Sequence, residues 1–123
     1  MATGTIKNMI GIKDLSSNIV GSTYATINST RVVCLQSGKI VRLSLEFTVT
    51  QQVQYTTTTP IISGFPLGYK NGTAQGNYDI LFARNTTDGK IYDFALKNGG
   101  LSPQSANNIP TGTYHLEGVY ISA

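Results

Sequence analysis

The stretch Arg31 to Thr50, RVVCLQSGKIVRLSLEFTVT, constrains the fold more than any other part of this chain. Val41, Leu43, Leu45, Phe47 and Val49 alternate with Arg42, Ser44, Glu46, Thr48 and Thr50, the period of two that puts successive side chains on opposite faces of a strand. One face is apolar and needs a core, while the other is polar and takes water. Upstream, Ser37-Gly38 reads as a two-residue turn. That register sets Cys34 opposite Val41 and Val32 opposite Leu43, so the partner strand offers apolar residues to the same side. Alternation and cross-strand matching both specify an antiparallel β-hairpin.

The chain has 123 residues, the size of one domain with a genuine core. Only 12% of its residues are charged and 40% are hydrophobic, and Thr, Ser, Asn and Gly make up much of the rest. Such a composition suits an all-β protein solvated by hydroxyls and amides, because β-branched threonine is stiff and favours strands. The formal net charge is +3, but the nine Lys and Arg are scattered, with no cluster able to track a phosphate backbone, which argues against nucleic acid as a partner. No apolar run approaches the roughly 20 residues that cross a bilayer. MATGTIKNMIGIKDL has no hydrophobic signal region, so neither secretion by a signal peptide nor membrane anchoring is expected. Cys34 is the only cysteine and reads as a small buried hydrophobe. The sequons at Asn28, Asn71 and Asn85 read as coincidence in a chain rich in Asn and Thr.

Along the chain, residues 1–20 read as an entry strand or neck, with Ile6, Met9 and Ile10 fitting one helical turn and Ile10 and Ile12 fitting a strand. Residues 21–123 form the expected β domain. Tyr24 to Ile27 reads as a short separate strand, QQVQYTTTTP as an irregular connection, and Ile61 to Pro66 as a short apolar piece before the glycine-rich loop GYKNGTAQGN. A second hairpin with an Asp88-Gly89 turn sets Ala83 opposite Phe94, Leu81 opposite Leu96 and Arg84 opposite Asp93. GGLSPQSANNIP reads as a loop. The closing strand Thr113–Ile121 alternates Tyr114, Leu116, Gly118 and Tyr120 against Thr113, His115, Glu117, Val119 and Ile121. Six to eight strands without an amphipathic helix describe a single-domain antiparallel β-sandwich or jelly roll.

Reactive constellations are missing from the sequence. One His and one Cys make no zinc site, and Asp79, Asp88 and Asp93 are too far apart for a calcium loop. No nucleophile motif surrounds His115, no nucleotide cradle is present, and six acidic residues make a glycosidase pair improbable, with Glu46 and Glu117 reading as parts of a solvated face. No catalytic residue, metal or cofactor is therefore expected. What remains is a set of aromatic and amide side chains. Tyr55, Tyr69, Tyr78 and Tyr92 offer rings for stacking on a saccharide, although such rings more often rim a core. The expected binding residues are Tyr69, Lys70, Asn71, Asn77, Tyr78 and Asp79, on a loop bent by Gly68, Gly72 and Gly76, together with His115.

The run Lys39-Ile40-Val41 into LSLEFTVT, the turn Ser63-Gly64-Phe65-Pro66 and the tyrosine-rich ending from Gly112-Thr113-Tyr114 to Gly118-Val119-Tyr120-Ile121 resemble the C-terminal head domains of bacteriophage tail-fibre and receptor-binding proteins, especially those of phages infecting Gram-positive hosts. The likeness covers roughly residues 30–123, and it departs from the pattern where Phe65 replaces the usual leucine and where no Trp marks a sugar platform. The resemblance implies a virion component made in the host cytoplasm, a homotrimer on a neck attached to other tail or baseplate proteins. Its head would adhere to a host cell-wall saccharide without catalysis. Two other readings stand beside it: a structural virion module that binds another protein, and a small glycan-degrading enzyme.

Overall fold

The computed structural model describes residues 11–70, 78–104 and 106–123. Eight strands run through them: β1 (Ile12–Asp14), β2 (Ala25–Ser37), β3 (Ile40–Val49), β4 (Ile62–Ser63), β5 (Asp79–Asn85), β6 (Ile91–Lys97), β7 (Gly100–Pro103) and β8 (Gly112–Ile121). All pairings are antiparallel, and the strands join one sheet in the order β1-β2-β3-β8-β5-β6-β7-β4. The all-β, single-domain class expected from the sequence is the class observed, as a curled sheet forming a half-barrel.

Phe47 and Phe94 measure the curl. Strands β8 and β5 lie between β3 and β6, so a flat sheet would hold these two residues about 14 Å apart. Their ring centroids are 6.1 Å apart, edge to face. Tyr114 completes the cluster, stacked on Phe47 at 5.3 Å and edge-on to Phe94 at 6.0 Å. The two flanks of the sheet thus face each other across one core, as the layers of a sandwich do. At the far edge β4 returns to the segment between β1 and β2, where Val20 and Ser63 exchange both backbone hydrogen bonds, at 2.9 and 3.0 Å.

The first hairpin forms with a shifted turn. Its two turn residues are Gly38 and Lys39, with Ser37 paired to Ile40, Cys34 to Leu43 and Val32 to Leu45, so the expected partners Val41 and Leu43 are each displaced by two. Gly38, at φ +56°, supplies the left-handed conformation at the first turn position. Moving a turn by one residue moves the pairing by two, and an even shift keeps every side chain on its face. Val41, Leu43, Leu45, Phe47, Val49 and Cys34 are accordingly all buried.

The second hairpin shows the same kind of correction. Its loop is Thr86–Gly89, closed by the Asn85 N–H donating to the Lys90 carbonyl at 2.9 Å, and the pairs are Ala83 with Tyr92, Leu81 with Phe94 and Arg84 with Ile91. Asp93 therefore faces Phe82 and not Arg84. The cause is the buried Asn85, whose Oδ1 accepts the N–H groups of Thr87 and Asp88 at 2.7 and 3.3 Å and so centres the loop one residue earlier.

The stretch read as a loop, GGLSPQSANNIP, begins with strand β7. A third hairpin joins β6 to β7 through Asn98-Gly99, both at positive φ (51° and 78°), which is the type I′ geometry that Asn-Gly favours. Tyr24–Ile27 is also not separate: Ala25 to Ile27 open β2, which pairs with β3 on both sides of an irregularity. Asn28 to Arg31 bulge there opposite Glu46 alone. The closing strand alternates as expected, with Tyr114, Leu116 and Tyr120 buried. Residues 1–10 of the expected neck lie outside the described residues. From Ile12 the chain runs as edge strand β1, and Leu15 donates to the Cys34 carbonyl at 2.7 Å.

Candidate functional site

The end of the sheet beside the termini of β3 and β8 presents four of the expected binding residues. Gly68 bridges to Ser122, the Tyr69 N–H donates to the Ile121 carbonyl at 2.8 Å, and Tyr120 Oη donates to the Pro66 carbonyl at 2.6 Å. These bonds fix the backbone leading into the glycine-rich loop. Tyr69 itself is 72% exposed. The next N–H, that of Lys70, donates to Asp79 Oδ2 at 3.2 Å, and Asp79 opens β5. Glycine at 68 leaves room for this contact, because a Cβ there would crowd the same carboxylate oxygen. Lys97 Nζ sits 4.8 Å above the ring of the half-buried Tyr78, a cation–π contact.

Tyr69, Lys70, Tyr78 and Asp79 are thus brought together, and Asp79 holds the loop base as much as it faces solvent. Asn71 and Asn77 lie outside the described residues. His115 is elsewhere: it occupies β8 six residues before Ile121, roughly 20 Å away at strand rise. The other two tyrosines weighed for stacking also separate from this end. Tyr92 packs against the core and donates its Oη to Asp88 at 2.6 Å, a bond that holds the Asp88 carboxyl below its ordinary range and raises the Tyr92 phenol. Tyr55 is exposed on the long connection between β3 and β4.

His115 belongs to a cleft of about 510 Å³ on the outer face of the sheet, lined by Arg31, Glu46, Phe82, Arg84, Ile91 and Glu117 among others. Its centre is Glu46. Oε1 accepts from Asn28 Nδ2 at 3.0 Å, and Oε2 accepts from Arg31 at 3.4 Å and lies 2.9 Å from His115 Nε2. The bond from Asn28, ahead of those from His115 and Arg31, holds the Glu46 carboxyl below its ordinary range. The Ser44 hydroxyl donates to Glu117 at 3.2 Å. Sequence reasoning treated Glu46 and Glu117 as a solvated face. The Glu46 knot escaped it because Asn28 and Arg31 reach Glu46 only through the bulge in β2.

A second groove, about 1150 Å³, runs along β1 and the first half of β2 between Ile12, Ile19, Val20, Ile27 and Val32. Its polar side chains already serve the fold. Ser16 Oγ accepts the Cys34 N–H at 2.9 Å, and Ser22 Oγ donates to the Ile61 carbonyl at 2.8 Å. Two of the sequons are committed in the same way, since Asn85 is buried and Asn28 donates to Glu46. Among the described residues no group of three or more His, Cys, Asp or Glu side chains converges as a metal site would require.

Comparison of the chain with protein-family models, curated proteins and solved structures returns no match.

Proposed function

We propose that this chain is a receptor-binding head of the kind carried on bacteriophage tail fibres, a homotrimeric module joined to other tail or baseplate proteins that adheres to a bacterial cell-wall saccharide without chemical change to it. The observation that carries this reading is Tyr69. Its ring is 72% exposed while its own N–H and that of Lys70 are fixed by hydrogen bonds to Ile121 and Asp79. An aromatic face left in water on an immobilised backbone is a stacking platform that needs little ordering when a sugar ring arrives. Lys70, Tyr78 and Asp79 beside it provide an ammonium, a second ring and a carboxylate for hydroxyl groups. Weak single sites gain by multivalency, which raises avidity roughly a hundredfold or more in a linked array.

Adhesion of the fluorescently labelled protein to Gram-positive cells tests this. Tyr69→Ala is expected to remove adhesion while leaving the melting temperature nearly unchanged, since the ring makes no core contact. Normal adhesion by that variant would overturn the site, and release of reducing sugar from purified cell walls would overturn the non-catalytic reading.

A further inference from the structure

The cleft around His115 is a polar site separate from the Tyr69 end. Three neighbouring strands supply its floor, with Ser44 and Glu46 from β3, His115 and Glu117 from β8 and Arg84 from β5. The register sets them side by side: Glu46 pairs with His115, His115 with Arg84, and Ser44 with Glu117. Glu46 and Arg31 are already committed to each other, and Glu46 also holds Asn28 and His115. That contact fixes the imidazole through Nε2 and leaves Nδ1, an acceptor in the neutral ring, facing the cleft. Arg84 is different. It is exposed, and among the described residues its guanidinium enters no ion pair. Glu117 accepts the Ser44 hydroxyl on Oε1, which leaves Oε2 open to a ligand. Phe82, two residues before Arg84 on the same face of β5, is 57% exposed.

We propose that this cleft binds a uronic acid unit of a saccharide, with its carboxylate on Arg84, its ring against Phe82 and its hydroxyls on His115 Nδ1 and Glu117. The inference goes beyond the Tyr69 site and does not rest on it. Three features of the cleft select this ligand class. One uncommitted guanidinium calls for one planar anion, which a carboxylate supplies in bidentate form. A phosphate monoester, with nearly twice the charge, would face Glu46 and Glu117 with a single cation to balance it. Acceptors beside a donor suit hydroxyl groups, which both give and take a proton, and an exposed flat ring suits the apolar face of a sugar.

An extended peptide fits less well. Strands β3, β8 and β5 each have a neighbour on both sides, so no sheet edge is offered for strand addition. The volume of about 510 Å³ lies within the range of small-molecule sites. Because Glu46 already immobilises His115, little side-chain ordering remains for the ligand to drive.

His115 is the only histidine of the chain, so its imidazole NMR signals report on this cleft. The full chain is titrated with D-glucuronate and with D-galacturonate at fixed pH and ionic strength, and with glucose, acetate and glucosyl phosphate for comparison. At least one uronate should shift the His115 signals saturably and bind about tenfold or more tighter than glucose and acetate, as expected for a charge-assisted bidentate pair. Arg84→Gln should weaken that binding by a similar factor, Phe82→Ala should weaken it too, and Tyr69→Ala should leave it unchanged. Both cleft positions are exposed, so the circular dichroism should stay native; should one variant misfold, the other decides. Absence of a shift with either uronate at tens of millimolar would overturn the inference. Acetate binding as tightly, unchanged binding by Arg84→Gln, or tighter binding of glucosyl phosphate would overturn it as well. Cell adhesion that Tyr69→Ala removes, without any uronate shift at His115, would sink the cleft and spare the Tyr69 site. Uronate binding at His115 alongside normal adhesion by Tyr69→Ala would do the reverse.

Discussion

His115 Nε2 lies 2.9 Å from Glu46 Oε2, across the pair that joins β8 to β3. A carboxylate only accepts, so the ring nitrogen at this contact carries the proton. The same carboxylate holds Asn28 and Arg31, the two ends of the β2 bulge. One acidic side chain therefore ties three strands together at the point where the sheet departs from regular pairing.

That arrangement has a pH signature. The folded-state pKa of Glu46 lies below the ordinary 4.5, so its contribution to stability is fully present above that ordinary value and is lost as pH falls through the folded one. Glu46→Gln should lower the melting temperature at neutral pH, and the gap from wild type should close in strong acid. Thermal melts of both proteins as a function of pH check this, and a gap constant down to strong acid would contradict it.

Cys34 is fully buried, and burial, followed by the nearby Asp14 carboxylate, pushes its thiol up to about 11. A thiol reagent at neutral pH should label it slowly in the native protein and rapidly in denaturant. Cys34→Ser should cost about 1–3 kcal/mol, the penalty for a poorly partnered buried hydroxyl, read from urea denaturation.

Tyr114 separates packing from hydrogen bonding. Its Oη donates to the Pro110 carbonyl at 2.6 Å, its ring stacks on Phe47, and burial is the main cause that raises its phenol to about 12. Tyr114→Phe keeps the stack and should cost about 1–2 kcal/mol. Tyr114→Ala should cost about 3–5 kcal/mol through the cavity it leaves. Equal losses in urea melts would mean that the hydroxyl, not the ring, anchors this corner.

Gly112 and Gly38 both have positive φ, at +139° and +56°, but only Gly112 is crowded. A Cβ there would meet Asn85 Nδ2 and Oδ1 at 2.8 and 2.9 Å. Asn85 has little room to yield, since it holds Thr87, Asp88 and the Thr111 carbonyl. Gly112→Ala should therefore cost about 2 kcal/mol or more, against about 1 kcal/mol for Gly38→Ala, whose only penalty is the left-handed backbone. Paired denaturation curves decide it.

The sequence by itself determined which side chains turn inward. Alternation along β3 and β8 is a local property, and the hydrophobic effect acts on it wherever the strands end up, so Val41 to Val49 and Tyr114 to Tyr120 are buried although both expected hairpin registers were off by two residues. Asn98-Gly99 forms a hairpin turn that the reading of GGLSPQSANNIP as a loop missed, because the Gly, Pro and Ser around it masked β7. The candidate site was legible in part: Tyr69, Lys70, Tyr78 and Asp79 lie close together in both sequence and space. Only the tertiary structure decided the rest. Register in the second hairpin depends on whether Asn85 centres its loop at one residue or the next; its Oδ1 takes the local Thr87 N–H, and its burial against β8 and its bond to the distant Thr111 carbonyl hold it there. The separation of His115 from Tyr69, and the joining of Asn28, Arg31, Glu46 and His115, depend on strand order and on a bulge three residues longer than regular pairing allows. Those are properties of long-range pairing, and no window of sequence contains them.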